Sequence, residues 1–181
     1  GNPDLKPEKT ISYEVGVEHQ FTNSLVGDIT GFSKDIDNLV DSKHVTPSTS
    51  AANDYSYFIN GIFGHVQGVE ITLRKQQTEK SRMYGALNYT YSVAEGKGSS
   101  RNLGYLTYYR SQPKVTESWP LDWDQRHVVS AILGIQFPLG FRLNTIGQYG
   151  SGLPYTPNPD SPIKPAINSK RYPATYNVDL I

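Results

Sequence analysis

From Thr10 to Phe21 two kinds of side chain take turns almost without exception. Ile11, Tyr13, Val15, Val17, His19 and Phe21 hold the odd positions; Thr10, Ser12, Glu14, Gly16, Glu18 and Gln20 hold the even ones. Successive side chains of a strand point to opposite faces, so this period of two predicts a strand with one apolar and one polar face. A helix would scatter the same residues around its circumference.

The same alternation returns along the chain. In 82–94, Met83, Gly85, Leu87, Tyr89, Tyr91 and Val93 oppose Arg82, Tyr84, Ala86, Asn88, Thr90, Ser92 and Ala94. Val69, Ile71 and Leu73 alternate with Glu70, Thr72 and Arg74 in a strand that starts near Phe58. Residues 127–137 and 141–150 repeat the pattern, and Tyr176 begins another strand that reaches Ile181. Residues 25–40 are less regular: Ile29 and Leu39 have one parity, Val26, Phe32, Ile36 and Val40 the other, which calls for a bulge.

Connections between these strands alternate in length. Residues 22–24, 76–81 and 138–140 are short links; residues 41–57, 95–125 and 151–175 are long ones. Successive antiparallel strands exchange ends, so every short turn falls on one rim and every long loop on the other. Outer-membrane barrels have this asymmetry, with short periplasmic turns and longer extracellular loops. Twelve residues at roughly 3.4 Å, tilted about 45°, rise about 29 Å, enough to cover the ~25 Å apolar band of such a barrel. Aromatic residues fall where girdles belong: Phe21, Phe137 and Phe141 towards the short turns, Tyr89, Tyr91 and Tyr149 towards the long loops. A soluble antiparallel sheet with one buried face would alternate as well, and stays open as an alternative.

Composition closes other routes. The chain has 17 basic and 17 acidic residues, so no basic surface of the kind nucleic acid requires is expected. With no cysteine there is neither a disulfide framework nor a thiolate metal site. The longest mostly apolar stretch, 128–141, is broken by Ser, Gln, Pro and Gly and falls short of the ~18 residues of a transmembrane helix.

Several phrases resemble, in collinear order, those of TonB-dependent outer-membrane receptors. Asn2-Pro3-Asp4-Leu5-Lys6-Pro7-Glu8 followed by Tyr13-Glu14-Val15-Gly16 is similar to the family's NPDLKPE…YELG. Residues 32–40 (FSKDIDNLV), 67–70 (QGVE), 88–92 (NYTYS), 121–127 (LDWDQRH) and 151–157 (SGLPYTP) match further phrases. The resemblance implies an all-β fold: an antiparallel meander of about six to seven long strands, a partial segment of a large transmembrane β-barrel in the outer membrane of a Gram-negative bacterium. On this view residues 1–181 form one partial barrel domain, and the plug, the TonB box and the closing strand lie outside it. The expected partners are outer-membrane lipid, a small nutrient ligand (a siderophore, vitamin or oligosaccharide) and, through the plug, the TonB complex. A non-transporting outer-membrane barrel, adhesin or enzyme, and a soluble carbohydrate-binding sheet domain are the alternatives.

Candidate residues follow from these patterns. Glu14, Glu18, Glu70, Arg74, Arg82 and Arg142 are expected on the polar face, lining a hydrated lumen. Glu14 and Glu18 sit four residues apart on one strand, roughly 13 Å. That exceeds the ~6.5–9.5 Å of an inverting carboxylate pair, so no catalytic residue is expected. Tyr105, Tyr108, Tyr109, Arg110, Trp119 and Trp123, in the longest loop, combine aromatic platforms with a cation and are candidates for ligand contact. Trp123 and Arg126, inside the LDWDQRH phrase, also suit anchoring at the rim. Asp35, Asp37, Asp122 and Asp124 read as solvated acids at strand ends, with a cation site as the alternative. His19, His44, His65 and His127 are scattered without metal-ligand spacing, so neither metal nor cofactor is expected.

Overall fold

A computed structural model of the chain describes residues 2–46, 53–98, 118–158 and 166–181. The described residues form an antiparallel meander. Its strands are β1 (Lys9–Thr22), β2 (Leu25–Val45), β3 (Tyr55–Lys75), β4 (Met83–Gly96), β5 (Trp119–Pro120), β6 (His127–Gln136), β7 (Arg142–Gly150), β8 (Pro154–Tyr155), β9 (Lys170–Arg171) and β10 (Thr175–Leu180). The main sheet runs β1-β2-β3-β4-β6-β7-β10, with β5 attached to the end of β4; β8 and β9 pair separately. The sheet is not closed: β1 and β10 are its two edges.

Register carries the two faces unbroken across all seven strands. Directly opposed residues of an antiparallel pair share a face. One row runs Val17, Ile29, Ile71, Tyr89, Val129, Tyr149, Tyr176; the adjacent row, on the other face, runs Glu18, Asp28, Thr72, Asn88, Ser130, Gln148, Asn177. Each period-two strand of the sequence thus lands in phase with its neighbours. A slip of one residue anywhere would send one strand's apolar set to the polar side.

Among the described residues no second layer covers either face. The only buried apolar side chains among the described residues are Ile62, Ala94 and Leu121, all near the long-loop end. Val15 on the apolar face is 78% exposed, and Tyr13, Val17, Leu133 and Val178 are exposed with it. A soluble sheet would bury this face to gain ~25 cal/mol per Å² of apolar surface, so the soluble alternative loses its physical basis.

The link between β2 and β3 differs from the expected long polar loop. Both strands continue paired from Val40↔Asn60 out to Val45↔Tyr55, which shortens the connection to residues 46–54. At 21 residues each, tilted about 45°, they rise roughly 50 Å, about twice the apolar band of a barrel. Beyond that band a strand has no reason to alternate, so the pattern vanished while the ladder did not.

The bulge is also placed. Pairing is continuous from Leu25↔Lys75 to Ile36↔Gly64, so Val26, Phe32 and Ile36 are simply apolar residues on the polar face. The register shifts beyond Ile36, where Asn38 stands at φ 61° in β2 and Gly61 is the extra residue in β3. The two offsets cancel. Asn60 then ties the N-terminal phrase to this hairpin: its side-chain amide donates to the Lys6 carbonyl at 3.0 Å, and its Oδ1 accepts from the Lys6 amide at 2.8 Å.

Candidate functional site

The polar face carries a ladder of paired charges. Arg74 donates to Asp28 at 2.7 Å and lies 3.6 Å from Glu18, while Lys34 lies 3.7 Å from Glu14 and 5.2 Å above the Phe32 ring. Glu70 sits between Thr30 and Thr90, and Arg142 opposite Gln136. Glu14, Glu18, Glu70, Arg74 and Arg142 therefore share one face, as the alternation predicts. The pairs of Lys34 with Glu14 and of Arg74 with Glu18 are solvent-exposed, so each contributes at most about 1 kcal/mol; the face mixes both signs of charge rather than presenting a strong field of one.

A denser cluster lies at the long-loop rim, and sequence reasoning missed its centre. The Asp124 side chain has no exposed surface, which corrects the expectation of a solvated acid. Its Oδ1 accepts from the Ala94 amide at 2.8 Å; its Oδ2 accepts from Arg126 Nε at 2.8 Å and from Arg171. Arg171 also donates to the carbonyls of Asp124 at 2.6 Å and of Gly152 at 3.1 Å. One carboxylate thereby joins the end of β4, the LDWDQRH segment, the SGLPYTP segment and β9. Burial of the charge is tolerated because every oxygen is matched by donors, two of them cationic. The sequence signal for it lies in the LDWDQRH phrase, where Asp124 stands between Trp123 and Arg126.

Neighbouring contacts lock the arrangement. Gln125 donates to the Ser151 carbonyl at 2.9 Å, and the His127 amide donates to Ser151 Oγ at 3.0 Å. Asn168, at φ 52°, donates to the Pro120 carbonyl at 2.7 Å and to Asp122 at 2.8 Å, so Asp122 also has a protein partner. Gly152 is required where it stands, since a Cβ there would overlap the Tyr172 carbonyl. Tyr172 in turn stacks on Tyr155 with centroids 4.5 Å apart.

Beside this cluster a cavity of about 460 Å³ opens among Ile36, Phe58, Ile62, Leu121 and Trp123, with Glu8 the one charged residue among its described lining. Trp123 is 47% exposed, so its ring forms cavity wall rather than buried anchor. Arg126 does anchor, through Asp124 and, at 3.7 Å, Glu95. Trp119 pairs with Gly96 in the two-residue strand β5. Tyr105, Tyr108, Tyr109 and Arg110 lie outside the described residues.

Comparison with known proteins adds one positive finding. The family model described as TonB dependent receptor-like, beta-barrel, matches residues 1–181. No curated protein and no solved structure matches the chain. A match across every residue, on an open antiparallel sheet whose apolar face lacks cover, means that the chain belongs to the TonB dependent receptor-like β-barrel family, a family of transport receptors of the Gram-negative outer membrane.

Proposed function

We propose that residues 1–181 form part of the barrel wall of an active-transport receptor that takes up a nutrient such as a siderophore, vitamin or oligosaccharide. Energy comes from the TonB complex, reached through a plug domain outside this chain. The observation that supports the reading best is the pair of adjacent rows, one apolar and one polar, that run in phase across seven strands. Lipid accounts for the first and a hydrated lumen for the second.

In this reading Glu14, Glu18, Glu70, Arg74 and Arg142 line the wet side and meet plug or water. Tyr105, Tyr108, Tyr109, Arg110, Trp119 and Trp123 meet the ligand from the loop above. The cluster around Asp124 holds the bases of the two long loops in place and takes no chemical part.

The test is uptake by cells expressing the intact gene in a Gram-negative host with and without TonB, using labelled siderophores, cobalamins and oligosaccharides. Accumulation of one class only in the TonB-positive host, with the protein in the outer-membrane fraction, is the expected result. Accumulation unchanged by loss of TonB would refute energised transport.

A further inference from the structure

The apolar face has one interruption near the short turns. In the row Leu25, Lys75, Gly85, Leu133, the third position lacks a side chain and the second is charged. The gap above Gly85 is a groove of about 130 Å³, walled by Leu73 and Leu87 on one side and by Met83 on the other, with Lys75 at its edge. Gly85 cannot be replaced cheaply: a Cβ there would overlap the Ile132 carbonyl. The close approach of β4 and β6 therefore maintains the groove.

We infer that this groove binds one anionic glycerophospholipid of the bilayer, an acyl chain lying over Gly85 and the phosphate meeting the Lys75 ammonium. The inference rests on the membrane reading given above, since it needs this face to look at lipid. Three observations point to that occupant. The groove is continuous with the outward apolar band, so a lipid chain reaches it without leaving the hydrocarbon. Lys75 lies at the short-turn rim, where Gln76 donates to the Ser24 carbonyl at 2.8 Å, and a lysine at that level extends its charge to the headgroups. The acids of the same face, Asp35, Asp37 and Glu95, stand at the opposite rim, Asp35 and Glu95 opposed across the sheet to His65 and Asp37 to Lys9. The nearest turn carries Glu79 and Lys80, which balance. Among the described strand residues, the cation at the groove thus has no competing carboxylate on its face at this rim.

The experiment is native mass spectrometry of the intact gene product released from detergent, titrated with phosphatidylglycerol or phosphatidylcholine, alongside flotation of the same preparation with vesicles. Saturable retention of one phosphatidylglycerol is expected. Retention should fall about fivefold in Lys75→Ala, the worth of one lysine near an anionic headgroup, and recover in Lys75→Arg. Met83→Trp, which fills the groove, should lower retention of both lipids, and Lys80→Ala should leave it unchanged. Equal retention by wild type and Lys75→Ala in a protein that still floats with vesicles would overturn the site and leave the membrane reading intact. Failure to float would overturn the membrane reading and the site together.

Discussion

At the scale of single residues the face is the decisive variable, because three positions along β1 separate an expensive substitution from a cheap one. Val15 shares a face with Gly31 and Val69, and Ser12 shares the other with Lys34 and Val66. Arginine at Val15 should cost about 2–4 kcal/mol in a bilayer, and at Ser12 far less. Leu87 and Asn88 form an equivalent pair on β4. Urea unfolding of the vesicle-inserted protein measures the difference, and equal costs on both faces would contradict the orientation. Asp124 is a different case. Asp124→Ala leaves Arg126 and Arg171 facing each other without their shared carboxylate and strips the Ala94 amide of its acceptor. A loss of about 3 kcal/mol is expected, with protease cutting first in the loops flanking 121–127 and 151–157. Loss of less than 1 kcal/mol would show that water replaces the carboxylate without penalty. Only Arg126, two residues from Asp124, lies near it in sequence; the other bonds of the cluster join residues 19 to 47 apart, so the cluster is not legible as one in the sequence.

At the scale of elements, alternation identified strands wherever one face must be greasy and fell silent elsewhere. The ends of β1, β4, β6, β7 and β10 lie within two residues of the sequence estimate. The last five residues of β2 and the first three of β3 read as loop in the sequence because Asp41, Ser42, Lys43 and His44 obey backbone pairing without any apolar period. Turns follow the same logic. The link between β6 and β7 places Leu139 at φ 65° and Gly140 at φ 81°, and Leu139 is 94% exposed. A leucine pays a steric penalty in the left-handed region that asparagine largely escapes. Leu139→Asn should therefore stabilise the β6–β7 hairpin by roughly 0.5–1 kcal/mol, read as a higher unfolding midpoint at unchanged slope. No gain, or a loss, would mean that the leucine contacts something beyond its own turn.

At the scale of the whole molecule, strand parity limits what the sheet can do. β1 and β10 are the first and last of seven antiparallel neighbours, so they run in the same direction. The sheet therefore cannot roll up on itself into an all-antiparallel barrel. A second copy inserted in the same orientation would bring β10 beside β1 in parallel, which the barrel forbids as well. Closure of the described sheet into such a barrel demands an odd number of further strands. Without them two rows of unpaired amides and carbonyls stay open, next to an apolar face exposed along its whole width. The chain of 181 residues made by itself should aggregate in water. In detergent micelles its amides on the outer edges of β1 and β10 should exchange with deuterium while the ladders of β2 to β7 stay protected. Light scattering and hydrogen exchange measure the two halves of this expectation. A monodisperse water-soluble monomer would mean that the apolar rows find cover within the chain. Equal protection at both edges would mean that the chain closes by a route the strand directions exclude.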